Sequence, residues 1–519
     1  MELPPWSSVL GVVLATALFL VTVLRVGRSG MRKNKYNLPP GPRPWPVIGN
    51  MNLIGPLPHR SIHELSKRYG PLMSLRFGSF PVVVASSVDA ATFFLKTNDP
   101  AFIDRPETAA GRHTFYNSAN MLWAPYGEYW RQGRKLYQTE LLSPRQLRLH
   151  EHVRREEVRA MLRAVHDDAA SKKVVSLRDH LFMLSLGVIS RMLLGKKYVG
   201  VQGGNGDTAE EFSWMLSELL FLNGALNLGD IIPWLNRFDP QGYIGRMKRL
   251  SERLDRFLEH VLDEHDERRR LEGDAFVAND VAAQLLQLAE DPGLKVPIKR
   301  DDVKAMILDL LVAGTDTSSV TVEWAMAELV RNPEALARAA DELDRVVGRA
   351  RLVAEDDLPR LPYVEAVVKE TMRLHLVSPL LSPRLAREDT SFAGYDIPAG
   401  TRVHVNVWAI GRDPALWGDE DNKPEEFRPE RFVGSGVDVK GKDMELLPFG
   451  SGRRMCPGHG LGLRMVQLAL ASLIHAFAWR LPDGVAAEGL DMEETFRISM
   501  PRKVPLQAVA EPRLPPHLY

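Results

Sequence analysis

The chain has one cysteine, Cys456, in 519 residues. No internal disulfide can form, so crosslinking plays no part in the fold. Such sparing use of cysteine suits a catalytic body held in a reducing compartment. Charge of neither sign is in excess, with 66 basic residues against 66 acidic ones. A nucleic-acid partner calls for a basic surplus, so none is expected. There is no internal repeat, and residues 202–206 (QGGNG) form only a short flexible loop. Gly204, Gly206 and Ala209 match G-x-G-x-x-A, but no strand–turn–helix pattern surrounds them. If the chain is a redox enzyme, its electrons come from another protein.

Long apolar runs are equally scarce. Residues 3–24 carry no charge, and 9–24 are almost wholly apolar. Spanning a bilayer takes about 20 such residues. A cleaved signal peptide carries its basic residues ahead of the apolar run. Here Arg25, Arg28, Arg32, Lys33 and Lys35 follow it. By the positive-inside rule they keep that side in the cytosol. The expected organisation is a membrane anchor at 1–28, a basic and proline-rich hinge at 29–46, and a catalytic domain at 47–519. In the hinge, 38–46 reads LPPGPRPWP, which enforces a stiff extended segment. A proline-rich signalling ligand has the same composition, but the position after an anchor favours a spacer.

Residues 72–84 read as a strand hairpin with its turn at Gly78 and Ser79. Helical periodicity covers 210–222 and 243–270, the second ending in a charged, solvated face. Between them, 221–234 (FLNGALNLGDIIPW) is an apolar loop, read either as a membrane-contacting surface or as core packing. A long helix is expected over 303–331, capped by Asp301 or Asp302 and stopped by Asn332 and Pro333. Residues 390–407 have strand character, with a turn at 398–400.

The chemistry concentrates at 448–462, PFGSGRRMCPGHGLG. Gly450, Gly452, Gly458, Gly460 and Gly462 let the backbone approach a flat object. Arg453 and Arg454 favour the thiolate form of Cys456. A single thiolate on iron is one known axial ligation of haem. Phe449, Gly452, Arg454, Cys456 and Gly458 reproduce F-x-x-G-x-R-x-C-x-G. The pattern resembles the haem-binding loop of the cytochromes P-450, and the resemblance runs along nearly the whole chain. It implies a mostly α fold with a small β lobe (α+β). It also implies haem b (heme b) with Cys456 as axial iron ligand and Phe449, Gly450 and Gly458 in its cradle.

Ala313-Gly314-Thr315-Asp316-Thr317 is a poor helical sequence inside a long helix, and its hydroxyls can open the helix locally. It resembles the family's oxygen-activation segment, in which Asp316 and Thr317 would relay protons to dioxygen. Trp130 and Arg134 lie one helical turn apart and match W-x-x-x-R. With Arg454 and Arg384 they are expected to hold the haem propionates, and His375 is a weaker candidate. Glu370 and Arg373 form E-x-x-R, and Arg431 belongs to a PERF motif at 429–432. The resemblance makes these three a structural triad with no part in chemistry.

The implied reaction is monooxygenation of a small hydrophobic substrate with dioxygen. Electrons would come from NADPH through NADPH–cytochrome P-450 reductase. Proline hinge and motifs resemble plant microsomal members near the flavonoid-3′-hydroxylases, implying an endoplasmic reticulum enzyme facing the cytosol. The expected pocket segments are 102–123, 221–228, 303–317, 377–382 and 496–500. Leu222, Leu226, Leu228, Leu310, Leu311, Val377, Leu380 and Leu381 dominate them. Aliphatic walls favour a terpenoid, such as a terpene alcohol trimmed to a hydrocarbon, over a flavonoid or other phenolic. The chain departs from the family pattern at Leu376, where proline is usual, and at Arg497, where glycine is common. A hydroperoxide-rearranging enzyme is a rival class, against which Asp316 with Thr317 argues, and a non-enzymatic haem-thiolate sensor, which would need neither relay nor reductase, is another.

Overall fold

The computed structural model describes residues 36–198, 206–418 and 423–519, with Val13 and Thr16. The anchor and its basic flank, and most of the glycine-rich loop at 202–206, lie outside these. The longer helices are α1 (Glu128–Leu136), α2 (Glu151–Ala170), α3 (Leu177–Leu194), α4 (Gly206–Gly224), α5 (Tyr243–Glu272), α6 (Arg300–Arg331), α7 (Pro362–Leu374) and α8 (His459–Ala476). The strands are β1 (Leu72–Phe77), β2 (Phe80–Ala85), β3 (Val175–Ser176), β4 (Arg384–Leu385), β5 (Thr390–Phe392), β6 (Tyr395–Ile397), β7 (Arg402–Val405), β8 (Phe477–Arg480) and β9 (Gln507–Pro512).

Helix α6 organises the molecule. Its start is fixed by Asp302, whose carboxylate accepts from the Lys299 N–H at 2.8 Å. Asn332 and the following proline end it. Among the described residues it is the one helix long and apolar enough to cross a membrane, yet it is mostly buried in the core. It packs along α3 and against α8. The α3 crossing is close: a Cβ on Gly314 would stand 2.4 Å from Ile189 Cδ1. The expected local opening at 313–317 is absent, and α6 is continuous. Thr315 Oγ1 donates to Leu311 O at 2.7 Å and Thr317 Oγ1 to Ala313 O at 2.8 Å. The hydroxyls share carbonyls with the helix instead of displacing its amides, and packing on both sides keeps the axis intact.

The β lobe is a sheet in the order β1-β2-β7-β4, with β2 and β7 parallel. Gly78 turns the β1–β2 hairpin at φ +56°. The proline-rich segment is docked on this lobe. Ser74 N–H donates to Pro40 O at 2.8 Å, and Asn50 Nδ2 donates to the Pro42 and Arg43 carbonyls at 3.3 Å. Prolines lack an N–H but keep an acceptor, so they cover the open edge of β1 without extending the sheet. The 221–234 stretch divides between both readings: Leu222, Ile231 and Ile232 are buried, whereas Phe221, Leu226 and Trp234 are exposed.

Candidate active site

A cavity of about 340 Å³ lies between α6 and the 448–458 loop. Gly450 and Gly452 turn that loop at φ +69° and +72°. At Gly452 a Cβ would stand 2.0 Å from the Leu95 carbonyl oxygen, so no larger residue fits. Gly458 is ordinary by comparison, with φ −87° at the start of α8. Gly460 and Gly462 lie in the first turns of α8, against Leu147 and the Phe449 ring. The left-handed turns therefore rest on two of the five glycines. Cys456 N–H donates to Phe449 O at 3.0 Å, which closes the loop beneath the thiol.

Burial pushes the Cys456 thiol up. The Gly458 and His459 amides and the Arg134 guanidinium act against that, favouring thiolate. The neighbouring arginines do not serve as expected. Arg453 is largely exposed, 3.6 Å from Asp99. Arg454 donates to the carbonyls of Ile103, Met121 and Ala124 at 2.9, 3.1 and 2.7 Å, and lies over the Trp130 ring. The two glycine turns aim both guanidinium groups away from the sulfur, and the cation that acts on it is Arg134.

The four expected anion-binding groups all line the cavity. Trp130 Nε1 donates to Met121 O at 3.1 Å. Arg384 pairs with Asp99 at 2.5 Å and donates to Ser451 O at 3.0 Å. Arg134 differs, for no hydrogen bond or ion pair engages its guanidinium among the described residues. Burial lowers its pKa and the Cys456 sulfur raises it. An uncompensated guanidinium beside a sulfur donor and a glycine-turned loop fits a flat anionic iron cofactor. Bound there, haem supplies the dioxygen chemistry, helped by electron density from the thiolate sulfur.

Above the loop, Ala313, Gly314 and Thr317 are on the cavity wall. Asp316 is not: its carboxylate accepts from Ser499 Oγ off the wall. Adjacent helical residues point in different directions, which separates these two. Burial raises the Asp316 pKa, while Ser499, Arg497 and Arg178 restrain it. A second acid escaped the sequence reading. Asp309 lines the cavity, and its pKa is pushed up to about 6 by burial. It accepts from Asn120 Nδ2 at 2.8 Å, from the Met121 amide and from Tyr137 OH at 3.4 Å. Its signal was spacing: Asp309, Ala313 and Thr317 recur every four residues on one helix face.

The walls are aliphatic, and three of the eight expected residues contribute to them. Leu310, Val377 and Leu381 line the cavity, joined by Ile189, Met192 and Leu193 of α3. Leu222 and Leu311 are buried in the core, Leu226 is exposed, Leu380 packs behind the β lobe, and Leu228 is off the wall. His375 lines the cavity too, but stacks on Trp324 at 4.0 Å and meets Glu328 at 2.7 Å.

The structural triad forms below. Arg373 Nε and Nη2 donate to Glu370 at 2.7 and 2.8 Å, and Arg431 Nε donates to it at 3.2 Å. Arg373 also donates to the Gly411 and Pro424 carbonyls at 2.7 and 2.6 Å, and Arg431 to Trp417 O at 2.7 Å. The pair thus ties α7 to the 411–431 meander.

Fold and site together define a haem-thiolate oxidoreductase, and comparisons with known proteins agree. The cytochrome P450 family model matches residues 39–505. A dimethylnonatriene synthase of Zea mays is 50% identical, covering 100% of this chain and 99% of the relative. A trimethyltridecatetraene synthase of Zea mays is 50% identical over 98% of this chain and 94% of the relative. A flavonoid 3′-monooxygenase of Petunia hybrida is 44% identical over 99% of each. A zebra fish cytochrome P450 structure with abiraterone superposes with a TM-score of 0.72 at 25% identity, covering 88% of this chain and 100% of that one. The chain belongs to the cytochrome P450 family. It is a monooxygenase in the neighbourhood of the plant flavonoid 3′-monooxygenases, with haem held by a cysteine thiolate and electrons from NADPH through a reductase.

Proposed function

We propose that the enzyme oxidises an acyclic terpene alcohol, trimming it by C–C cleavage to a hydrocarbon. The observation that carries this is the 50% identity, over essentially the whole length, to two synthases whose names denote branched polyenes without oxygen. Aliphatic walls from α3, Leu310, Val377 and Leu381 support it. Cys456 is the iron ligand, as the one cysteine of the chain. Arg134 neutralises a cofactor carboxylate, with Trp130, Arg384 and Arg454 bracing the same side. Phe449, Gly450 and Gly458 shape the cradle under the metal. Thr317 holds a water at the cavity, and Asp316 supplies protons to it. Residues 1–28 anchor the chain in the endoplasmic reticulum membrane with the body in the cytosol, and Phe221, Leu226 and Trp234 add lipid contact.

The test is product analysis with reductase and NADPH against a panel of terpene alcohols and flavonoids. Shortened hydrocarbons from the alcohols are expected. Turnover of flavonoids alone would establish the second reading, flavonoid hydroxylation, which the 44% identity to the petunia enzyme favours.

A further inference from the structure

The acid assigned to proton supply does not face the cavity. Its partner, Ser499, is buried in a tight turn. Arg497 N–H donates to Ser499 O at 3.2 Å, and Thr495 N–H donates to Pro501 O at 2.9 Å. The turn is wedged in place: a Cβ on Gly224, at the end of α4, would stand 2.3 Å from the Ile498 nitrogen. The backbone that carries Ser499 is therefore packed tightly against α4, with its hydroxyl on Asp316. Two cations face the carboxylate from other elements. Arg497, at the tip of the turn, is exposed and unpaired among the described residues. Arg178, at the start of α3, is itself paired with Glu323 at 2.9 Å.

We propose that Ser499 is the positioning residue of proton supply: it holds Asp316 on the side of α6 facing the Arg497 turn, so that protons enter from that turn. This rests on the proposed relay roles of Asp316 and Thr317. A proton leaving Asp316 toward the cavity is replaced by one from water, and no electron moves in the exchange. The Ser499 hydroxyl stabilises the ionised carboxylate, and Arg497 does so electrostatically. Together they set the pH at which Asp316 stops donating.

The experiment uses the full-length haem enzyme with reductase, scaled to the haem-thiolate content of each variant. Product per NADPH is followed across pH for Ser499→Ala, Ser499→Thr, Arg497→Gln and Asp316→Asn. Losing a donor raises the carboxyl pKa, so the alkaline limb should move to higher pH in Ser499→Ala. Coupling should fall about tenfold, the worth of one hydrogen bond to a charged group. Ser499→Thr keeps a hydroxyl and should restore both. Arg497→Gln, on the surface, should move the same limb upward with the fold intact. Wild-type coupling and pH profile in Ser499→Ala beside a slow Asp316→Asn would overturn this inference and leave the relay standing. Equal impairment in the alanine and threonine variants would make Ser499 a packing residue. A wild-type Asp316→Asn would overturn the relay and this inference together.

Discussion

Asn120 Nδ2 donates to Asp309 Oδ1 at 2.8 Å, tying the loop that follows residues 109–118 to the face of α6 that carries Thr317. Met121, next in that loop, receives Trp130 Nε1 and Arg454 Nη1 on its carbonyl. One carboxylate thus fixes the loop that positions two of the groups around the cofactor site.

That carboxylate carries a pH signature. Its folded pKa is raised to about 6 from an ordinary 3.8. Between those values the native state keeps a proton that the unfolded chain has lost. Stability from this group is therefore present at low pH and falls as pH rises from about 4 to 6. The difference amounts to roughly 3 kcal/mol at most. Asp309→Asn should remove the dependence, so wild type should lose ground against the variant across that window. Urea midpoints of the pair at acidic and neutral pH check this. A constant difference would mean that Asp309 ionises normally.

Arg134 is the next point of leverage. It combines a guanidinium unpaired among the described residues with influence on the Cys456 sulfur. Arg134→Ala should speed haem transfer to an apoprotein acceptor about tenfold or more, the value of a charge-assisted bond. Arg134→Lys should recover part of that through its point charge, without the planar fork. Transfer rates equal to wild type in both would remove Arg134 from cofactor binding.

The Glu370 site tests architecture instead. Both Glu370 and Arg373 side chains are fully buried. Arg373→Ala removes the two shorter guanidinium bonds to the buried carboxylate and leaves Arg431 at 3.2 Å as its remaining cation, so it should cost about 3 kcal/mol, the lower end for breaking a buried pair. Holoenzyme yield should collapse, with no change in product pattern for whatever folds. Near-normal yield would make the triad dispensable.

These residues differ in how legible they were. Cys456 could be read because it is one of five fixed positions within ten residues. Glu370, Arg373 and Arg431 could be read because a three-residue helical spacing and a short motif carry them. The W-x-x-x-R spacing marks Arg134 as an anion partner, whereas the sequence points to Arg453 and Arg454 for the action on the sulfur. Proximity along the chain suggested those two, and the left-handed turns at Gly450 and Gly452 undo that proximity. Asp309 was missed because a single acid in a helix looks like a surface residue until its neighbours are known. The α3 wall was missed because that helix is apolar almost all round, so no periodicity marks its cavity side. The docking of 38–46 was hidden for a related reason: proline content shows stiffness, and only β1 shows what the stiff segment leans on.

Thr317 bears the greatest mechanistic weight. Its hydroxyl donates to Ala313 O at 2.8 Å and lies at the cavity wall, leaving its oxygen lone pairs to organise a water. Thr317→Ala deletes the partner of the proposed water and leaves Cys456 and Arg134 in place. NADPH oxidation should therefore persist while peroxide replaces product. General acid–base groups contribute roughly 10²–10⁴-fold. Solvent entering the space left by the hydroxyl would fill part of the gap, so the loss should fall near the lower end. Thr317→Ser keeps an oxygen and should restore coupling, which a purely steric role for the methyl group would not allow. The measurement is product and peroxide formed per NADPH consumed. Unchanged coupling in Thr317→Ala would reduce the hydroxyl to an intrahelical bond with the Ala313 carbonyl, and would reopen hydroperoxide rearrangement as the reaction of this chain.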